Sequence, residues 1–191
     1  MIFGITGGTG CGKTTALQTI ESLGGLVLDC DAIYHELLKT DPGLLASINS
    51  RFPGVVENGE LQRKKLGAIV FADPQALEDL NAITHAAVKA EVERRLETAP
   101  ALAAIDAIEL FTSGLASLCD ATVAIVAPLE DRVRRLMARD NISEDYARAR
   151  IAAQKSADWF RSRCDATLEN NGDKDAFATK CVAFFRSYDI I

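Results

Sequence analysis

One short segment near the start of the chain has residue types and a spacing that bind phosphate. Its residues, Gly7-Gly8-Thr9-Gly10-Cys11-Gly12-Lys13-Thr14, match the pattern G-x-x-x-x-G-K-[ST] at every fixed position. The glycines let the backbone wrap a polyphosphate with N–H groups pointing inward, and a following helix adds partial positive charge. Lys13 would place an ammonium on the β- and γ-phosphates, and the Thr14 hydroxyl would take one Mg²⁺ coordination site. The sequence therefore predicts a nucleoside triphosphate site built from Gly8, Thr9, Gly10, Cys11, Gly12, Lys13, Thr14 and Thr15.

The residues around this loop predict the elements that position it. The apolar run 2–5 is typical of a buried strand, and residues 15–22 are typical of a helix. Because further apolar runs alternate with helical patterns, we expect an α/β fold with a parallel sheet between two layers of helices. The ligand should lie beyond the carboxyl ends of the strands. The other predicted strands are 25–28, 102–106, 122–126 and 166–168. Helices are predicted at 32–39, 60–71 and 128–139. Further helices are predicted to begin at Asp41-Pro42, at Asp73-Pro74 (ending near 96), after Ser143 and after 170–172.

Three aspartates lie at or just after the ends of predicted strands. Asp29 and Asp31 follow the second strand, and Asp106 ends the third. A carboxylate at this edge of the sheet could accept a proton from an acceptor hydroxyl or hold a Mg²⁺-bound water. The same side chains could instead cap the helices that follow. Both interpretations stay open, and the sequence favours the chemical one for Asp31.

A concentration of arginines marks one quarter of the chain. Arg132, Arg135 and Arg139 lie at i, i+3 and i+7, and therefore on one face of a predicted helix. Further basic residues follow at positions 148, 150, 155, 161 and 163. Such a run is often a solvated face. In a chain of net charge −6, however, it favours a lid that closes on phosphates and brings positive charge to the migrating group.

Composition excludes several classes of protein. The net charge of −6 and the pI near 5.0 argue against a nucleic-acid-binding surface, which is normally basic. The longest charge-free run, 1–12, falls short of the ~20 residues that a membrane span needs. Five scattered cysteines without a C-x-x-C pair favour free thiols in a reducing cytosol. No Asp precedes a Gly by three positions and no Asn-Lys-x-Asp occurs, so the GTPase elements are missing. We expect a cytoplasmic kinase of a small metabolite that binds no nucleic acid and no membrane.

The sequence resembles the dephospho-coenzyme A kinase family along nearly its whole length. The phosphate loop Ile5-Thr6-Gly7-Gly8-Thr9-Gly10-Cys11-Gly12-Lys13-Thr14-Thr15 is similar to that of the family, although many families share such a loop. Asp29-Cys30-Asp31-Ala32-Ile33 resembles the Asp-Ala-Asp element of the family. The more discriminating similarities are the stretches 59–71, 80–85, 135–140, 150–154 and 170–172.

The resemblance implies transfer of the γ-phosphoryl group of ATP to the ribose 3′-hydroxyl of dephospho-coenzyme A. Asp31 would be the catalytic base or the group that orients the hydroxyl, and Lys13, Mg²⁺ and Arg139 would share the charge of the transition state. The resemblance also implies that Arg63, His85 and Lys89 lie near the acceptor substrate, although Arg63 and His85 could instead be helix residues with local hydrogen bonds. A related kinase acting on a nucleoside or a sugar acid is the alternative.

The chain departs from the family pattern on the acceptor side. The family commonly has His-Pro and an arginine four residues after that histidine, where this chain has His85-Ala86 and Lys89. Gln62 replaces an aspartate, and Thr112 stands where the family often has glutamate. We expect one P-loop kinase domain over 1–191, with a helical substrate-binding insertion at about 32–98 and an arginine-rich lid at about 130–165, as a monomer or small homo-oligomer.

Overall fold

The computed structural model describes residues 1–188, which form two compact units. The first, called the core unit, contains Met1–Leu28, Ala99–Leu110 and the chain from Leu115 onward. The second, called the helical unit, contains Asp29–Thr98 and Phe111–Gly114. The roles expected for 32–98 as an insertion and 130–165 as a lid stay predictions. The last three residues of the expected domain, 189–191, lie outside the described residues.

Strands and helices follow one another along the described chain. The strands are β1 Ile2–Thr6, β2 Leu26–Asp29, β3 Val56–Glu57, β4 Glu60–Leu61, β5 Ala103–Asp106, β6 Ala121–Val126 and β7 Ala166–Glu169. The helices are α1 Lys13–Ser22, α2 Cys30–Thr40, α3 Pro42–Arg51, α4 Arg63–Val70, α5 Pro74–Leu96, α6 Leu129–Asp140, α7 Glu144–Ala152, α8 Ala157–Arg161 and α9 Lys174–Arg186.

A five-stranded sheet in the order β2-β5-β1-β6-β7 forms the middle layer. β1 pairs in parallel with β5 and with β6, and β6 pairs in parallel with β7. All six residues of β6 are buried, as is usual for a parallel strand covered on both faces. Because β1 is central, the loop after it starts in the middle of the carboxyl edge of the sheet.

Helices cover both faces of this sheet. On one face, Ile20 of α1 and Phe185 of α9 join Phe3 of β1 in one buried cluster. On the other face, Phe160 of α8 packs with Ala124 and Val126 of β6. The predicted α/β architecture of three layers around a parallel sheet is confirmed.

Several helices begin where capping residues predict them to begin. Asp41 and Asp73 each accept hydrogen bonds from the first turn of the next helix, and a proline follows each of them at the first helical position. Ser143 caps α7 through the N–H of Tyr146. Asp29 caps α2, because its Oδ1 accepts a hydrogen bond of 3.0 Å from the N–H of Ala32.

The helix predicted at 60–71 was placed too early. Glu60–Leu61 forms β4 and pairs antiparallel with β3, so α4 begins at Arg63. The two-residue hairpin turn between these strands contains Asn58 and Gly59, with φ of 53° and 77°. Positive φ values at both central residues are typical of an Asn-Gly hairpin turn. The short helix α8 and a 3-10 turn at Leu115–Leu118 were not predicted.

The helical unit is built around the long helix α5, against which α2, α3 and α4 pack. Two ion pairs connect α5 to neighbouring helices. Arg51 of α3 lies 2.6 Å from Asp79 of α5, and Arg95 of α5 lies 2.8 Å from Glu36 of α2. These pairs are partly exposed and each adds little stability, so the buried apolar residues dominate. Val92 of α5 is fully buried.

The five cysteines are free thiols. Burial raises the pKa of Cys119 to about 12, so this thiol stays protonated at neutral pH. No helix within residues 1–188 is both long enough and apolar enough to cross a membrane.

We predict that Phe185→Ala lowers the free energy of unfolding by about 3–5 kcal/mol, because a fully buried ring is lost beside Phe3, 5.1 Å away between centroids. Phe71 is the matched control because 86% of its surface is exposed. Phe71→Ala should change the stability by less than about 0.5 kcal/mol. Urea denaturation measures both values, and equal losses would contradict the position of Phe185 in the core.

Candidate active site

A cavity of about 290 Å³ lies in the core unit at the carboxyl edge of the sheet. The phosphate-loop residues predicted for the nucleotide line it, except Thr15, which lies one residue further along α1. The full lining is Gly8, Thr9, Gly10, Cys11, Gly12, Lys13, Thr14, Asp106, Ile108, Arg135 and Arg139. The cavity thus joins peptide N–H groups, the N-terminus of α1, three cationic side chains and one carboxylate.

Glycine is required where the loop turns into α1. Gly12 precedes the first helical residue with φ of 101°, a conformation that side chains rarely adopt. A Cβ there would also overlap the side-chain amide of Asn170. The fixed glycine of the motif therefore serves both the backbone turn and the close approach of a second chain segment.

Side chains hold the carbonyl groups of the loop. These bonds give the carbonyl groups partners of their own, as buried carbonyl groups need. The N–H of Thr9 donates to Gln154 and that of Cys11 donates to Gly8 O, so the donors left for an anion are N–H groups of other loop residues. The four bonds run from Lys13 Nζ to Gly7 O (3.1 Å), from Arg132 Nε to Thr9 O (2.9 Å), from Arg135 Nη1 to Gly10 O (3.2 Å) and from Asn170 Nδ2 to Cys11 O (2.9 Å).

The donors are themselves fixed by further hydrogen bonds. Arg135 Nη2 donates to Asn170 Oδ1 at 3.2 Å, so Asn170 is both donor and acceptor in a buried position. Arg132 is only 7% exposed, and its Nη2 donates to Gln154 Oε1 at 3.2 Å. The same oxygen of Gln154 accepts a hydrogen bond of 2.8 Å from the N–H of Thr9.

The arginine face of α6 is therefore divided between two environments. Arg132 and Arg135 bond to the backbone of the phosphate loop, whereas Arg139 lines the cavity and also bonds to Asp140 through Nε and Nη2, at 2.6 and 2.9 Å. Hydrogen bonds from Arg139 and then from Arg150 lower the pKa of Asp140, so its carboxylate stays ionised at neutral pH. The basic face is not simply solvated, and a lid role for 130–165 stays a prediction.

The three aspartates near predicted strand ends also lie in different environments. Asp106 lines the cavity at the end of β5, whereas Asp29 is the cap of α2, so the capping alternative for Asp29 is confirmed. The physical reason is that α2 begins at Cys30, directly after β2, and its first turn needs an acceptor at position 29. Asp31 lies exposed in that first turn, within the helical unit. Its role as a base stays a prediction.

The other expected acceptor residues also lie in the helical unit. Arg63 is the first residue of α4, and its Nη2 lies 3.3 Å from Nδ1 of His35. His35 belongs to α2, so this contact joins two helices and is not the local hydrogen bond that was the alternative to substrate contact. His85 and Lys89 lie four residues apart on α5, on the same face, and both are half-buried. Contact of these three side chains with an acceptor stays a prediction.

Gln154 and Asn170 had no role assigned from the sequence. Asn170 directly follows β7, so the rule that parallel strands end at the ligand edge could have found it. Gln154 follows α7, is uncharged and ends the stretch 150–154 that resembles the family, which assigned it no contact. Only the folded chain brings it to Thr9, 145 residues away in sequence.

A parallel sheet whose central strand leads through a glycine loop into a helix, with cations around the loop, defines the class of P-loop phosphotransferases. Known proteins narrow this class. The family profile described as dephospho-CoA kinase matches residues 1–175.

Individual relatives agree with the profile. The chain is 34% identical to the dephospho-CoA kinase of Geobacillus kaustophilus, over 100% of this chain and 98% of that protein. It is 36% identical to the dephospho-CoA kinase of Deinococcus radiodurans, over 98% and 92%. A crystal structure of a Thermus thermophilus protein has a TM-score of 0.79 and 34% identity, over 98% of this chain and 97% of that one. The chain belongs to the dephospho-CoA kinase family, and the resemblance inferred from its motifs is confirmed.

We predict that Asn170→Asp raises the dissociation constant for ADP roughly tenfold, the size expected when a buried hydrogen bond is lost. The substitution replaces the Nδ2 donor with an oxygen that faces the carbonyl of Cys11. Isothermal titration calorimetry with ADP measures the constant without any acceptor substrate. Gln18→Glu, which adds the same charge at an exposed site of α1, is the control. Unchanged ADP binding by Asn170→Asp would show that the loop does not need this bond.

Proposed function

We propose that this protein transfers the γ-phosphoryl group of ATP to the ribose 3′-hydroxyl of dephospho-coenzyme A, giving coenzyme A and ADP. The observation that carries the proposal is the family match over residues 1–175, which extends far beyond the phosphate loop that many families share. The alternative of a nucleoside or sugar-acid kinase is not favoured. The relatives from Geobacillus kaustophilus and Deinococcus radiodurans, which match this chain over 98% and 92% of their own length, are both named dephospho-CoA kinase.

The reaction exchanges one P–O bond for another. The acceptor oxygen forms a bond to the γ-phosphorus while the bond from that phosphorus to the β–γ bridging oxygen breaks, and the electron pair stays on ADP. We assign Asp31 as the base that takes the hydroxyl proton. Its carboxylate is exposed and lies in the first turn of α2, where it does not serve as the cap.

The core unit would supply positive charge to the transferred group. The N–H groups of the loop and the Lys13 ammonium would contact the β- and γ-phosphates. Arg139 would add charge that matters most in the transition state, because it lines the same cavity as the loop. Its bonds to Asp140 fix the guanidinium but also weaken its field at a distance, so Arg139 would act on a phosphoryl group in direct contact with it.

The cavity also fits Mg²⁺. The Thr14 hydroxyl and the Asp106 carboxylate both line it, and oxygen ligands of this kind suit Mg²⁺. Residues 1–188 contain no group of three or more His, Cys, Asp or Glu side chains that could hold a metal. We propose Thr14 as the protein ligand of the ion, with phosphate oxygens and water as the other ligands that Mg²⁺ usually takes. When bound, the ion would neutralise charge on the β- and γ-phosphates.

We assign binding of the acceptor substrate to Arg63, His85 and Lys89. Arg63 and Lys89 offer cations for the phosphates of the acceptor, and His85 offers a ring nitrogen. Lysine is a point charge without the bidentate fork of arginine, so Lys89 should bind a phosphate less specifically than the arginine common in the family.

The proposal extends to the setting of the enzyme. The acidic composition favours a cytoplasmic protein that binds a small molecule rather than nucleic acid, as a monomer or small homo-oligomer. The segment at about 32–98 would serve as the substrate-binding insertion and that at about 130–165 as the lid.

ADP release in the presence of ATP and Mg²⁺ tests the function. We expect turnover with dephospho-coenzyme A and none above background with a panel of nucleosides and gluconate. Turnover with a panel compound only, or with no compound, would remove the proposed activity. Mass spectrometry of the product shows whether the new phosphate is on the 3′-oxygen.

We predict that Asp31→Asn lowers kcat by roughly 10² or more, the usual contribution of a positioned base, while ADP binding changes little. Lys13→Ala should damage turnover at least as much and should also weaken ADP binding, because it deletes a cation aimed at the phosphates.

Asp41→Asn is the control for the first variant, since it removes a carboxylate from the same unit and asparagine caps a helix equally well. An Asp31→Asn enzyme with the parent kcat would show that Asp31 is not the base.

A further inference from the structure

Most arginines of the core unit are paired with carboxylates, but two that contact the phosphate loop are not. Arg134, Arg139, Arg148 and Arg161 each lie within 3 Å of an Asp or Glu oxygen. Within residues 1–188, neither Arg132 nor Arg135 forms an ion pair with a carboxylate. These two guanidinium groups donate instead to neutral oxygens, which are the loop carbonyls and the side-chain amides of Gln154 and Asn170.

A neutral acceptor holds a guanidinium without cancelling its charge. A carboxylate at the same place would form an ion pair, and the field of that pair falls off much faster than the field of a single cation. Arg132 is 7% exposed, so water screens its charge little. The charge of Arg132 therefore acts on whatever occupies the cavity beside the loop.

Gln154 is the residue that keeps Arg132 in this position. Its Oε1 accepts from Arg132 Nη2 and from the N–H of Thr9, while Arg132 Nε donates to the carbonyl of Thr9. The three residues form a closed network in which both backbone groups of Thr9 have a partner. A Cβ on Gly8 would overlap Arg132 Nη2 and lie 3.1 Å from Gln154 Oε1, so the network packs directly against the loop.

We propose that Gln154 is a positioning residue for nucleotide binding: as an uncharged acceptor it fixes Arg132 and Thr9 while leaving the positive charge of Arg132 available to the polyphosphate. The inference rests on the proposed binding of ATP at the loop. It goes beyond that function because it explains why an amide, rather than a carboxylate, occupies this position.

Two substitutions separate the positioning role from the charge role. Gln154→Met keeps the length of the side chain and removes the acceptor. Gln154→Glu keeps the acceptor and adds a negative charge against Arg132. We expect each to raise the dissociation constant for ADP roughly tenfold, since the first loses hydrogen bonds to a charged group and the second cancels a nearby cation. Gln18→Glu and Gln18→Met are the matched controls at an exposed position and should bind ADP as the parent does.

Thermal unfolding supplies the readout that a merely structural role would not produce. Gln154→Met should lower Tm, whereas Gln154→Glu should keep or raise Tm because it forms an ion pair with Arg132, and yet bind ADP more weakly. Parent-like ADP binding by Gln154→Glu would overturn the charge argument, and parent-like binding by Gln154→Met would overturn the positioning argument. A lower Tm together with weaker ADP binding in Gln154→Glu would also overturn the charge argument, because a loss of structure alone would then explain the weaker binding.

The experiment is independent of the acceptor reaction. Calorimetry with ADP needs no phosphoryl transfer, so failure of the parent to phosphorylate dephospho-coenzyme A would count against the proposed function alone. In an active parent, steady-state kinetics of Gln154→Glu should show a higher KM for ATP with an unchanged KM for the acceptor.

Discussion

The direction in which the peptide groups of the phosphate loop point is the constraint on which the site depends. A loop can offer its N–H groups to an anion only when its carbonyl groups have partners elsewhere, since an unsatisfied buried carbonyl is costly. Arg132, Arg135 and Asn170 provide those partners from α6 and from the end of β7. The motif 7–14 is local in sequence, but its conformation is held by residues more than a hundred positions away. The sheet is what brings them together, because β6 and β7 lie beside β1 in that order.

Charge distribution around the loop follows from the same contacts. The chain as a whole is acidic, with net charge −6, so an anionic ligand needs a local field of the opposite sign. Lys13, Arg135 and Arg139 line the cavity, and Arg132 lies behind the loop. Because Arg132 and Arg135 are held by neutral oxygens, their positive charge stays concentrated beside the loop. This explains how an acidic protein can contain a site for a triphosphate.

Patterns that act over short distances in sequence predicted much of this molecule. The phosphate loop, the strands beside it and the caps at Asp41 and Asp73 depend on neighbouring residues, and each was predicted. Asp29 was harder, since a carboxylate after a strand serves equally well as cap or catalyst, and only the start of α2 at Cys30 decides. Arg132 and Arg139 share a charge and a helix face, yet one is buried against the loop and the other lines the cavity. Gln154 is neutral and ends the stretch 150–154 that resembles the family, but that resemblance names no contact, so its bond to Thr9 could not be predicted before the fold was known.

A crystal structure of the protein with ADP and Mg²⁺ tests the central claim most directly. We predict that the β-phosphate oxygens lie about 3 Å from loop N–H groups, within hydrogen-bond distance. The carbonyl groups of Thr9, Gly10 and Cys11 should meanwhile keep their bonds to Arg132, Arg135 and Asn170. Phosphate bound away from the loop, or any of these three carbonyl groups turned toward it, would contradict the account.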